Sequence, residues 1–301
     1  MRNFFNIQDI IQAQIFSGGC FILKHINKFL TALLILTLVI FSNALYADER
    51  PILIQGAMPS ETDYMISKLT DAKEINIMQY KYVSGKFADY PVIISLTGSG
   101  SVNIVVSTLK AIEEFNPVII INQGTAGAHD PKLHTFDIVL GSDFMNTSRW
   151  QSLQKSAGEG ADYRDIIYKG ASYFNYVGDD ERSEEIFLQS DENLLNIAHE
   201  VISTYKQGKI SDGVIATSDS WERRIDRIKY LHSTYGTSCE DMETEPSSQV
   251  ASMFKIPFLG VRVISNSSLH NEEFNPASGE ACQKYVLEIV KQYISKSKIV
   301  K

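Results

Sequence analysis

Four carboxylates, Glu240, Asp241, Glu243 and Glu245, crowd into six residues. Pro246 follows in what reads as the first turn of a helix, where its missing N–H does no harm. Acidic groups at a helix start complement the helix dipole without any ligand. That alone accounts for Glu240 and Asp241 as well as a binding site would, and less well for Glu243. Just downstream, the apolar run 256–264 reads as a buried strand, yet it carries Arg262 and ends in Ser265-Asn266-Ser267-Ser268. Open α/β sheets hold their ligands just past the carboxyl ends of the strands. Carboxylates there can orient water or accept hydrogen bonds, and an amide can both donate and accept. Asn266 equally fits a simple turn.

The elements that would position these groups follow from the hydrophobic pattern. Residues 52–58 form a short apolar strand leaving through Gly56. Pro59-Ser60-Glu61 then opens a helix to about Leu69, with Glu61 in its first turn, where dipole complementation is again a sufficient role. Residues 75–88 alternate around Ser84-Gly85 and predict a hairpin there. A strand over 92–96 runs into Thr97-Gly98-Ser99-Gly100-Ser101 and a helix from about Val102 to Phe115. Such a loop can cradle an anion, or its glycines can simply allow tight packing. Residues 117–121 form a strand apolar on both faces, as parallel strands are. It ends in the Gly-rich run 122–128, and 137–140 continues the sheet.

Residues 146–180 read as a long polar surface excursion, which in a compact domain is often functional. Residues 191–205 form an amphipathic helix, and 209–216 a strand delivering Thr217 to Trp221. By spacing alone Trp221 reads as core. The basic helix 222–231, with Arg223, Arg224, Arg227 and Lys229, reads as a solvated face, and 279–295 as the terminal helix. Alternating strands and helices with no internal repeat predict one α/β domain over residues 48–301.

The chain has 301 residues, 44% hydrophobic and 21% charged, ample for one large core. Its net charge of -8 argues against a nucleic-acid partner. Lys24, His25 and Lys28 precede the apolar run 29–41, and small residues follow to Ala47. That is the layout of a secretory signal peptide over residues 1–47, so a secreted or periplasmic domain is expected, touching membrane only through this segment. An uncleaved anchor is the competing reading, for which the run is somewhat short. Removing residues 1–47 takes away more basic than acidic groups, leaving the domain more acidic. Export would allow Cys239 and Cys282 to pair. Neither has a partner at metal-ligand spacing, so no metal is expected.

Read together, five stretches resemble the purine nucleoside phosphorylase/hydrolase superfamily, and within it the methylthioadenosine/S-adenosylhomocysteine nucleosidase branch. They are Gly56-Ala57-Met58-Pro59-Ser60-Glu61; Thr97-Gly98-Ser99-Gly100; Asn122-Gln123-Gly124-Thr125-Ala126-Gly127 with Asp137-Ile138-Val139; Ser218-Asp219-Ser220-Trp221; and Asp241-Met242-Glu243 with Val261 to Asn266. Each is weak singly; their order and spacing over about residues 50–298 carry the resemblance. It implies a three-layer α/β/α fold with a mixed, partly barrel-like sheet, an oligomer (a dimer in the nucleosidase branch) and no cofactor. It implies cleavage of the N-glycosidic bond of a purine nucleoside. Glu61 matches the carboxylate that activates water, with Arg262 and Thr97 as neighbours of that water site, and Gly98 joins Thr97 among the expected substrate-binding residues. Glu243 matches the acceptor of the ribose hydroxyls, with Met242 beside it. Trp221 takes the place of an aromatic packed on the purine, and Phe274 is a candidate for lining the 5′ side.

Two features bear on the reaction. Phosphorylases of this superfamily carry an arginine-bearing loop after the first strand, whereas this chain places Glu61 there. A carboxylate repels phosphate, so hydrolysis is expected over phosphorolysis. Asn266 stands where adenine-specific nucleosidases have an aspartate that protonates the leaving base. Asparagine donates a hydrogen bond but is no general acid, which favours a 6-oxopurine nucleoside such as inosine or guanosine. Asn266 and Glu222 also leave open a nucleoside-binding or storage protein without turnover.

Overall fold

A computed structural model describes residues 50–174 and 182–299. The leader expected over residues 1–47 lies outside the described residues, as does part of the excursion expected over 146–180. Among the described residues no helix is long and apolar enough to cross a membrane.

The first strand, β1 (Ile52–Gly56), lies between β4 (Tyr90–Leu96) and β5 (Ile119–Ala128), parallel to both. β5 also pairs in parallel with β14 (Phe258–Asn266). From β14 the sheet passes to β6 (Ile138–Asn146), β12 (Ile210–Thr217) and β13 (Thr237–Asp241), and β13 returns antiparallel to β5. These five strands close a ring, so the mixed, partly barrel-like sheet is present. On the other side, β4 continues antiparallel into β3 (Tyr80–Phe87) and β2 (Thr70–Ile77).

The layers follow from strand alternation, since successive side chains point to opposite faces. Ile52, Ile54, Ile119, Ile121, Leu259 and Val261 face one core, with Cys282, Tyr285 and Val286 of the terminal helix Ala277–Ile299 and Leu194 and Ile197 of the helix Glu192–Glu200. Leu53, Ile93, Ile120 and Phe258 face the other, with Ala111 and Ile112 of the helix Ser101–Phe115 and Val250 and Ala251 of the helix Thr244–Met253. The result is the expected α/β/α sandwich.

Several local expectations change. The helix after Pro59 is a 3₁₀ turn (Pro59–Glu61) and a short helix (Asp63–Ile66), ending before Leu69. The hairpin turns at Met78-Gln79, not at Ser84-Gly85, which lies inside β3. Gly85 serves close approach: a Cβ there would stand 2.9 Å from both Leu69 Cβ and the Thr70 carbonyl. The Gly-rich run 122–128 is strand rather than loop, the second half of β5. Cys239 and Cys282 are both free thiols, buried in the two different cores, so no bond joins them.

Candidate active site

The carboxyl ends of β1, β5, β13 and β14 meet at a cleft of about 290 Å³. Glu61, Met242, Glu243, Asn266, Trp221 and Phe274 all line it. Thr97, Gly98 and Arg262 are not brought to its wall; they stand behind it.

Glu61 is 3% exposed. Its Oε2 accepts from the backbone N–H of Ala57 at 2.8 Å and of Met58 at 3.3 Å. Its Oε1 accepts from Thr125 N and Thr125 Oγ1, both at 2.8 Å. The glycine of Gln123-Gly124-Thr125 has a steric reason: a Cβ on Gly124 would lie 2.8 Å from Glu61 Oε1. The carboxylate therefore fills a ready-made anion cradle of backbone donors. The long bond from Met58 leaves Oε2 with acceptor capacity toward the cleft.

Thr97 N bonds the Gly56 carbonyl at 3.0 Å, and its hydroxyl donates to the Gly98 carbonyl at 3.0 Å. Both residues thus hold the loop that opens the helix at Ser101. The first N–H groups of a helix have no internal acceptor. Here Gly100 N donates to Glu243 Oε1 at 2.9 Å, and Ser101 N donates to Asp219 Oδ1 at 2.7 Å.

Glu243 stands at the N-cap position of the helix Thr244–Met253, its side chain turned to Gly100 N rather than to that helix, and is almost wholly buried. Burial raises its carboxyl to about 8; the charges of Asp241 and Glu61 add to the rise and Arg262 opposes it. Glu243 therefore holds a proton at neutral pH. A ligand diol that donates two hydrogen bonds needs the ionised, acceptor-only form, so binding it expels that proton. Affinity for a ribonucleoside should then rise with pH up to about 8, by up to roughly tenfold per unit below that value, and level off above it. Glu243→Gln should flatten the profile. Calorimetry across pH 5.5–9 reads this out; a wild-type affinity that does not change with pH would remove the diol role.

Arg262 is among the largest fully buried side chains. Its Nε donates to Asp241 Oδ2 at 2.7 Å, its Nη1 to the carbonyls of Val261 and Asn122, and its Nη2 to the Asn122 side chain. Asp241 also accepts from Thr217 Oγ1 at 2.6 Å and from Thr244 N at 3.0 Å. Arg262 is thus the counter-charge of a buried acid one layer behind Glu243.

Asn266 closes β14 opposite Gly127, where a Cβ would stand 3.2 Å from its Nδ2. Ser265 Oγ lies 3.0 Å from Asn266 Oδ1, which leaves the amide NH2 as the end near Gly127. Trp221 is 65% exposed rather than core, because the chain leaves the sheet edge at Ser218 and the next helix, Ile225–Tyr235, starts only four residues on. Its ring meets Phe274 edge-on at 6.0 Å, so the two aromatics wall the cleft on its open side.

One group was not legible as part of the site. Arg227 is buried, not solvated, and bonds Glu240 through both Nη atoms at 2.8 Å. His129 stands beside them, and both Glu240 and His129 line the cleft. A signal existed for Arg227: it shares the buried face with Ile228 and Leu231, at helical spacing. Among the described residues, no group of three or more His, Cys, Asp or Glu is arranged to hold a metal ion.

Residues 51–295 match the sequence model of the phosphorylase superfamily. The 5'-methylthioadenosine/S-adenosylhomocysteine nucleosidase of Staphylococcus haemolyticus is 28% identical over 244 residues, 79% of this chain and 98% of that protein. The protein of the same name from Staphylococcus aureus strain MRSA252 is 27% identical over 248 residues, 82% and 96% of the two chains. Among solved structures, the nucleosidase of that name from Neisseria meningitidis, in complex with methylthio-immucillin-A, shares the fold at TM-score 0.65 and 21% identity, covering 80% of this chain and 99% of that one. The native futalosine hydrolase of Helicobacter pylori does so at TM-score 0.65 and 22% identity, covering 81% and 98%. The family model spans residues 51–295, most of the chain, and the chain belongs to the phosphorylase superfamily.

Proposed function

We propose that the cleft hydrolyses the N-glycosidic bond of a purine nucleoside, releasing free base and sugar. The observation that carries this reading is the occupation of the anion cradle by Glu61. Ala57 N, Met58 N and Thr125 N, the donors a phosphate would need, already serve that carboxylate. Gly100 N and Ser101 N, at the neighbouring helix start, serve Glu243 and Asp219. A phosphate dianion would meet fixed negative charge and spent donors, whereas a neutral water meets an acceptor. The names of the relatives, nucleosidases and a futalosine hydrolase, support the same chemistry.

In this reading the base lies between Met242 and Trp221, Glu243 holds the ribose hydroxyls, and Phe274 lines the 5′ side. The C1′–N9 bond breaks with its electron pair leaving on the base, and the ribose develops oxocarbenium character. Glu243 and Glu61 stabilise that charge electrostatically. Water adds to C1′ and passes its proton to Glu61, which releases it to solvent, while the departing purinyl anion takes up a proton from solvent to become the free base. Asn266 donates a hydrogen bond to the departing base without transferring a proton, which shifts the substrate toward 6-oxopurine nucleosides. Arg262, Thr97 and Gly98 position these groups from behind. Export of the domain and its assembly as a dimer go with this proposal; the N-terminus of the mature chain and its sedimentation read them directly.

Base release from inosine, guanosine, adenosine and methylthioadenosine, each with and without phosphate, is the direct test. Release at the same rate without phosphate is the expected result. Release that requires phosphate would overturn the hydrolytic reading, and no release from any nucleoside would replace it with a binding role.

A further inference from the structure

The cluster around Glu240 is a second set of buried charges on the cleft, distinct from Glu61 and Glu243. Arg227 donates Nη2 to Glu240 Oε1 and Nη1 to Oε2, both at 2.8 Å, and Thr147 Oγ1 donates to Oε1 at 2.6 Å. His129 Nε2 lies 3.7 Å from Oε2, beyond hydrogen-bond reach, while its Nδ1 is engaged with Thr237 Oγ1 at 2.9 Å. Burial pushes His129 down to about 4, so it is neutral at pH 7. Burial also works against the charge on Glu240, but the hydrogen bonds and charge of Arg227 outweigh it and hold the carboxyl below its usual range. Oε1 thus has two partners and Oε2 one, and Glu240 lines the cleft. An ionised carboxylate can only accept, so this wall asks for a donor.

Strand pairing indicates which donor. Gly127 pairs with Asn266 on one side and with Glu240 on the other. Two strand spacings separate the flanking backbones by roughly 9–10 Å, which suits one edge of a purine with a hydrogen bond at each end. With the Asn266 amide at N7 and the 6-substituent, the next ring atom is N1. A carboxamide can serve either a 6-oxo or a 6-amino group, by its N–H or its C=O. Hydrogen bonding by Asn266 therefore does not by itself discriminate the two classes of bound base. We infer that Glu240, positioned by Arg227, is the specificity-determining residue: it accepts the N1–H of a 6-oxopurine and turns away a 6-aminopurine, whose N1 is itself an acceptor. This rests on the purine reading of the cleft.

The test is equilibrium binding of the free bases hypoxanthine and adenine. The wild-type protein should prefer hypoxanthine by about 10- to 100-fold, the usual worth of a hydrogen bond to a charged group. In Glu240→Gln the amide can donate to adenine N1, and the preference should collapse. Because that variant leaves Arg227 buried without a counter-charge, Arg227→Met/Glu240→Met is the second variant; an apolar pair of similar volume is tolerated in such sites. It should bind both bases alike. The inference is overturned if the wild type shows no preference, or if either variant keeps the wild-type ratio. It is likewise overturned if Glu222→Gln, rather than Glu240→Gln, removes the preference; Glu222 also lines the cleft and is paired with Arg224 at 2.6 Å. Base binding with the expected ratio but no nucleoside cleavage would overturn the hydrolase reading and leave this one standing. Binding of neither base would overturn both.

Discussion

Glu61→Gln should lower kcat by about 10²- to 10⁴-fold, the range for loss of a positioned general base. Affinity for a nucleoside should stay nearly unchanged. The substitution keeps shape and volume but removes the group that, in the proposed mechanism, takes the proton from water. The base and ribose are assigned in that mechanism to other residues that line the cleft, Met242, Glu243, Asn266 and Trp221. Local geometry adds a second consequence. The four donors around the Glu61 carboxylate are Ala57 N, Met58 N, Thr125 N and Thr125 Oγ1. A carboxamide must turn its NH2 toward backbone N–H groups on one side or the other. An unsatisfied buried donor costs about 1–3 kcal/mol, so the variant should also melt somewhat lower. Single-turnover base release, ligand titration and a thermal melt separate the three effects. Full turnover in the variant would remove Glu61 from the chemistry; lost affinity with kcat intact would make it a binding residue instead.

Arg262→Met should be the most destabilising single change in the site. It leaves Asp241, 5% exposed, without its counter-charge and strips donors from the Asn122 side chain and carbonyl. Breaking a buried pair by removing one partner costs about 3–5 kcal/mol. For a domain of this size that corresponds to a fall in Tm of roughly 6–20 °C. Asp241→Asn added to Arg262→Met should recover part of the loss, because the uncompensated charge goes. An unchanged Tm in the single variant would mean that Arg262 is not the counter-ion of Asp241. If the double variant regains stability without regaining activity, the pair also shapes the loop carrying Met242 and Glu243.

Much of the site was readable because it is local. Glu61 follows a short apolar strand and a glycine, and Asn266 ends another strand. Glu243 sits one turn ahead of a proline at a helix start. Near-continuous runs of Ile, Leu and Val also announce a sheet buried on both faces. Errors fell where a residue type has two uses. Gly85 and the glycines at 124 and 127 signal turns by composition, yet they lie in strands, where they make room for Leu69, Glu61 and Asn266.

Apolar runs and the residues at strand ends are written over a few positions, so the chain carries the layered fold and the candidates Glu61, Glu243 and Asn266 in its linear order. Charge pairing is written nowhere in that order. Arg227 meets Glu240 across 13 positions and Arg262 meets Asp241 across 21, each through a strand or helix packed from elsewhere. Whether an arginine is solvated or buried, whether Trp221 is core or wall, and whether Glu243 keeps its proton all depend on which distant groups come within a few ångströms. Electrostatic energies vary with distance and solvent exclusion, and both quantities exist only once the sheet has closed.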